Sequence, residues 1–200
     1  MASVLSDLKK TVIAGFVLTI VIVIVVAIIV SAPSFGQLWW SFLLRWLHVI
    51  AGVMWIGLLW YFNFVQIPNM PNIPDDQKPA IGKVIAPAAL FWFRWAAMAT
   101  LVLGLLIAAI NGYLLDSIVL GMTGGGSTAI GIGMWLGAIM WFNVWFVIWP
   151  NQQRALGIVD ADADSKAKSA RTAMLFSRTN TLLSIPMLYC MVGQSHGAFV

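Results

Sequence analysis

Residues 11–30 read "TVIAGFVLTIVIVIVVAIIV", a run without a charge or an amide. At an α-helical rise of about 1.5 Å per residue it is about 30 Å long, the depth of a bilayer's hydrocarbon core. This puts the chain in a membrane. Lys9 and Lys10 precede the run and "SAPS" (31–34) follows it, the order of a cleavable signal peptide. The apolar run is longer than the roughly 7–15 residues of a signal core, so a retained anchor helix against lipid is expected.

The composition agrees. Of 200 residues 61% are hydrophobic and 9% charged, with a mean hydropathy of +0.92, whereas a soluble domain needs roughly a quarter charged. Further stretches at 39–66, 88–110, 128–149 and 176–196 are long enough to span. The expected fold is an all-α integral membrane protein with five transmembrane helices: a four-helix bundle (helices 2–5) plus a peripheral N-terminal helix. Residues 1–37 form the anchor and an outer turn, and 38–200 the four-helix membrane domain. Lys9 and Lys10, Lys78 and Lys83, and Arg154, Lys166, Lys168 and Arg171 fall in alternate connections, while 32–38 and 111–127 carry no Lys or Arg. The positive-inside rule then predicts a cytoplasmic N-terminus in a bacterial inner (plasma) membrane, multi-pass.

Several functions are disfavoured. Every carboxylate is an aspartate (Asp7, Asp75, Asp76, Asp116, Asp160, Asp162, Asp164) outside the expected spans, which weighs against a proton pump. The net charge of +4 sits beside hydrophobic segments and does topological work, not nucleic-acid binding. Cys190 is alone, so a CxxCH covalent haem site is excluded. The proline-rich segment 66–87 reads as a turn or short interfacial piece, and "GMTGGGSTAI" (121–130) as a flexible outer turn.

The second stretch holds unusual polar residues. Arg45, His48, Asn63 and Gln66 are spaced 3, 15 and 3, and because 18 residues make about five turns they share a stripe, which Gly52 and Trp55 continue. Its plainer reading is a polar seam, with Gly52 permitting close helix packing. Trp39, Trp40 and Trp46 suit an outer aromatic belt, placing Arg45 at the interface and His48 about one turn deeper. In the fifth stretch Arg178 and His196 are again 18 apart, so His196 is expected at the depth of His48. Two imidazoles on different helices in one layer are what a low-spin b-type haem requires, one axial nitrogen on each side of the iron. Arg45 would meet a propionate, and Gly52 and Trp55 would border the ring.

A second polar layer is expected at the cytoplasmic end: Asn63, Gln66, Arg94, Asn143, Arg178 and Asn180. It reads as structural glue, with Arg94 taking the carbonyls of Asn63 and Asn143 and the ring faces of Trp92 and Trp95. A small anionic-ligand or quinone-head site is the sharper alternative. Gly133 and Gly137 form a GxxxG suited to close packing.

"LLRWLHVIAGVMWIG" (43–57), "FWFRWAAMATLVLGLL" (91–106), "IMWFNVWFVIWPNQQ" (139–153) and "RTNTLLSIPMLYCMVGQSH" (178–196) together resemble the membrane domain of the bacterial membrane-bound urate hydroxylase (PuuD-type) family, in shortened form and without the family's cytochrome c domain. The resemblance carries over His48 with Arg45, Arg94, Asn143 and His196. It brings no assurance of urate chemistry, since the family's further histidines before the third helix have no counterpart in "GKVIAPAALFWFRW". The expected function is an inner-membrane b-type haem protein exchanging electrons with a periplasmic cytochrome c or a larger membrane redox complex. The alternatives are a cofactor-free accessory subunit of a respiratory or photosynthetic complex and, third, a urate-oxidising enzyme.

Overall fold

The computed structural model describes residues 2–30 and 36–195 and is helical, with no strand among those residues. The chain divides into two compact units, 1–40 and 41–200. In the first, a short α1 (Ala2–Leu5) leads into α2 (Leu8–Val30). Asp7 caps α2: its Oδ1 accepts the backbone N–H groups of Lys9 (2.9 Å) and Lys10 (3.2 Å), donors that a helix start leaves without partners. α2 is apolar all round and none of its described side chains is buried, the character of a lipid-solvated span.

α3 (Gln37–Trp60) crosses the division and does not stop at Trp60. A π-helical turn (Tyr61–Gln66), a short α4 (Ile67–Asn69) and a 3-10 turn (Met70–Asn72) prolong it. After residues 73–77, α5 (Lys78–Ala80) and a second π turn (Ile81–Ile85) run into α6 (Ala86–Ile110). The connection that follows holds α7 (Leu114–Ile118). Then come α8 (Thr128–Phe142), a third π turn (Asn143–Ile148), α9 (Trp149–Ala155) and α10 (Ala163–Ser195).

Four runs, Leu8–Ile29, Gln37–Asn72, Lys78–Ile110 and Thr128–Ala155, are long and apolar enough to cross a membrane. The fifth stretch expected to span lies in the second half of α10, whose first half is polar; its last residue, 196, is outside the described residues.

The π turns have a common cause. Each ends two residues before a proline: Gln66 before Pro68, Ile85 before Pro87, Ile148 before Pro150. The residue just before each proline donates its N–H five residues back: Ile67 to the Phe62 carbonyl, Ala86 to Ile81 and Trp149 to Val144. A proline ring clashes with the carbonyl four residues earlier in an α-helix, and a wider i→i+5 turn draws that carbonyl aside. The segment 66–87, read from its prolines as a turn, is therefore helical apart from 73–77.

Helix ends follow local chemistry. α6 stops where Gly112 turns to φ +76°, with Gly112 N–H on the Ala109 carbonyl (3.1 Å) and Tyr113 N–H on Ala108 (3.1 Å), and Gly157 (φ +71°) closes α9 in the same way. The glycine-rich connection is not loose: the Asp116 carboxylate accepts the Thr123 hydroxyl and the backbone N–H groups of Gly125 (3.4 Å) and Ser127 (3.1 Å). Those bonds, the Thr123 hydroxyl first, hold its carboxyl below the usual carboxylate range.

The core of the second unit is built by Trp55, Ile56, Leu59 and Phe62 from the α3 run, Leu90, Phe93, Ala96 and Ala97 from α6, Met140, Val144 and Ile148 from the α8 run, and Met187 from α10. Small residues set the closest approaches. A Cβ on Gly133 would lie 3.1 Å from Cys190 Cβ, so this glycine does serve packing, whereas Gly137 faces open space.

Candidate functional site

Two cavities occupy opposite ends of the helices of the second unit. The first, of about 190 Å³, is bordered by His48 and Trp55 of α3, Thr100 and Gly104 of α6, Ser117 of α7, Met134 and Gly137 of α8, and Met187 and Met191 of α10. Its remaining walls are apolar, and the exposed side chains of Leu105, Ile118 and Trp135 stand at its edge.

His48 is fixed from two sides. Its Nδ1 lies 2.8 Å from the Thr100 carbonyl. A carbonyl only accepts, so Nδ1 carries the proton and a neutral ring keeps its lone pair on Nε2. A Cβ on Gly104 would come within 3.0 Å of His48 Cε1, so only glycine leaves the ring its place. Trp55 is 2% exposed and Ser117 fully buried, yet Trp55 Nε1 and Ser117 Oγ have no hydrogen-bond partner. An apolar cavity thus carries one oriented imidazole and two unmet polar groups, each of which costs about 1–3 kcal/mol while unpaired.

Two of the other expected site residues, Arg45 and Gly52, are described and do not border this cavity. Arg45 is exposed, and its charge acts on Tyr113, whose hydroxyl burial pushes upward in pKa while Arg45 draws it down. Gly52 does not border the cavity; a Cβ there would meet Thr100 Cγ2 at 4.0 Å, an ordinary contact, so the close helix packing expected of this glycine does not depend on it. His196 lies outside the described residues. Thr100, Gly104, Ser117 and the three methionines were not anticipated. Only Gly104, a helix-interior glycine opposite a histidine, left a signal in the sequence. No group of three or more His, Cys, Asp or Glu that could hold a metal occurs among the described residues.

The second polar layer resolves into separate parts. Asn143 Nδ2 donates to Asn180 Oδ1 (2.9 Å), and Asn180 Nδ2 to the Met140 carbonyl (2.9 Å), tying α10 to the α8 run. Asn63 Nδ2 donates to the Leu59 carbonyl (2.9 Å) and to Ser177 Oγ (2.7 Å). Arg94 meets neither amide. Its guanidinium lies 3.3 Å from the ring centroid of Trp149 and 5.6 Å from that of Trp145, not on Trp92 or Trp95, which are exposed. Arg178 is exposed and takes no part in the buried layer. The π turn Tyr61–Gln66 is one reason: it rotates Gln66 off the α-helical stripe that a count from His48 assumes.

The second cavity, of about 110 Å³, lies at this end. It is bordered by Phe62 and Gln66 of the first π turn, Ile81 and Gly82 of the second, Ile148 of the third, and Ser177 of α10, among apolar neighbours.

Residues 118–200 match the model of the urate oxidase N-terminal family. The match covers the third and fourth of the stretches that carried the resemblance, 139–153 and 178–196, and leaves 43–57, with His48, outside it. No curated protein and no solved structure matches the chain. Over its last 83 residues the chain is similar to a urate-related family.

Proposed function

We propose that this chain is a b-type haem protein of the bacterial inner membrane, with five spans and a cytoplasmic N-terminus, exchanging electrons with a periplasmic cytochrome c or a larger redox complex. The observation that carries it is His48: an imidazole held through Nδ1 by a backbone carbonyl, as metal-ligating histidines commonly are, beside an apolar cavity in the membrane. His48 supports this reading as one of the two nitrogen ligands that a b-type haem takes. His48 would supply one nitrogen to the iron, Gly137 leaves open space along the cavity wall, and Trp55 Nε1 and Ser117 Oγ have no partner. A cavity of about 190 Å³ is smaller than a macrocycle and would take only part of one. His196 is the proposed second ligand, and Arg45 the partner of a propionate. Haem, when bound, supplies the one-electron chemistry; the chain holds the ligand ring, excludes water and sets the dielectric. The basic connections favour placing this cavity toward the periplasm.

The test is a pyridine haemochrome assay on protein purified from haem-replete cells. A red preparation with a Soret band, lost in His48→Ala, is expected. Colourless protein would overturn the reading and favour the accessory-subunit alternative. A normal low-spin spectrum in His196→Ala would remove His196 as ligand and turn attention to the thioethers of Met187 and Met191. Urate-dependent reduction of cytochrome c would add the enzymatic role that the 118–200 similarity raises.

A further inference from the structure

The cavity at the other end of the bundle points to a different ligand. Three π turns from three successive helical runs meet around it, and such turns recur at functional sites because they open a helix. Its walls are apolar apart from Gln66, Gln152 and Ser177, with Phe62 and Phe93 packed edge to face at 6.0 Å. Into these surroundings the chain places a carbonyl oxygen that nothing satisfies. Gln66 Oε1 is buried without a partner. Asn63 does not border the cavity, but its Nδ2 donates to the Leu59 carbonyl and to Ser177 Oγ and so fixes Ser177, a residue of the wall. An acceptor buried in apolar surroundings calls for a donor that can itself dissolve in the membrane. Arg94, the nearest cation in the sequence pattern, is engaged with Trp149 and Trp145 and answers neither amide.

We infer that this cavity binds the hydroxyl-bearing aromatic head of a lipid-soluble quinol, an O–H group donating to Gln66 Oε1 beside Ser177. The volume, about 110 Å³, is below the roughly 150 Å³ cavity that takes up a benzene ring, so the hydroxyl-bearing edge of the head enters and the rest of the ring stands in the mouth. The unmet group in the lining is an acceptor, Gln66 Oε1, which favours the reduced ligand: the quinol brings donors, the quinone none. The site does not depend on haem at His48.

Calorimetric titration of the full chain in nanodiscs, with duroquinol under argon and with duroquinone, tests this. Duroquinol should bind saturably and about tenfold more tightly than duroquinone, the difference that one donor–acceptor bond provides. Gln66→Leu should remove about that factor while leaving thermal stability unchanged or raised, because an unpartnered buried amide is being replaced. Gly82→Leu, whose Cβ meets only Leu156 at 3.9 Å, should fill the space and abolish binding in a folded protein. No saturable binding of either ligand, as for a cavity that holds ordered water only, overturns the inference. So does equal affinity for the two, or full quinol affinity in Gly82→Leu. Because none of these readouts uses the haem spectrum, the two proposals stand or fall separately.

Discussion

Substituting Gly104 by alanine tests whether His48 is clamped between α6 and its own helix. The new methyl would lie 3.0 Å from Cε1 and 3.4 Å from Nδ1 of His48, inside the roughly 3.5–4.0 Å optimum for non-bonded carbon contacts. The ring must retreat, and the Thr100 carbonyl that holds it at 2.8 Å stands one turn away on the same helix as Gly104. Losing that bond costs about 1 kcal/mol, and overpacking adds about 1–3 kcal/mol. Alanine's better helix propensity offsets about 1 kcal/mol. The net expectation is a destabilisation of about 1–3 kcal/mol. Gly52→Ala is the matched control, since its methyl meets only Thr100 Cγ2 at 4.0 Å, an ordinary contact. There propensity dominates, and stability should hold or rise by up to about 1 kcal/mol. Reversible unfolding in mixed micelles gives both values, and the imidazole ¹⁵N shift of His48 reports whether the Thr100 bond survives. Equal effects at the two glycines, or an unperturbed imidazole in Gly104→Ala, would refute the clamp.

Other consequences are as specific. Asn180→Ala strips the Asn143 amide and the Met140 carbonyl of their partner and should cost about 1–3 kcal/mol; a double-mutant cycle with Asn143→Ala should give a coupling near 0.6 kcal/mol, the average for buried membrane pairs. Trp149→Leu, which removes the ring face beneath Arg94, should lower stability by about 1 kcal/mol, while Trp92→Leu should be neutral by the same unfolding assay. The lowered pKa of Asp116 means that its stabilisation of the 121–127 connection is present above the ordinary carboxylate range and is lost as pH falls through the lowered value. Amide exchange at Gly125 and Ser127 should therefore stay slow at neutral pH and quicken only in strong acid, and Asp116→Asn should show fast exchange at neutral pH already.

The helical, membrane-spanning character was legible because it rests on summed apolarity, which neighbours cannot reverse. That His48 and Trp55 share a face was legible as well: they stand seven positions apart in undistorted α-helix, so counting turns places both on one side, where they border one cavity. Counting failed beyond Trp60, where the π turn breaks the period that joined Gln66 to His48. Arg94 was matched to the wrong partners for a related reason. Amide carbonyls are its obvious acceptors by chemistry, but Trp149 reaches it only because α9 continues the α8 run through a third wide turn. Thr100 could not be found by side-chain type at all, since it acts through its backbone carbonyl. The glycine-rich connection misled because flexibility was read from composition, while the ordering comes from Asp116 just upstream.

The wide turns also bear on how such a chain can lengthen or shorten. Each stores one supernumerary residue, so a single deletion within 61–66, at exposed Phe64 for instance, relaxes the turn to ordinary α-helix and leaves both flanks in phase. The same deletion within α3 would swing everything after it by about 100°. Relaxation at 61–66 would, however, return a carbonyl to the ring of Pro68. Distant relatives that lack a residue here should therefore lack that proline too, and alignment gaps should track prolines at 68, 87 and 150 rather than fall in loops.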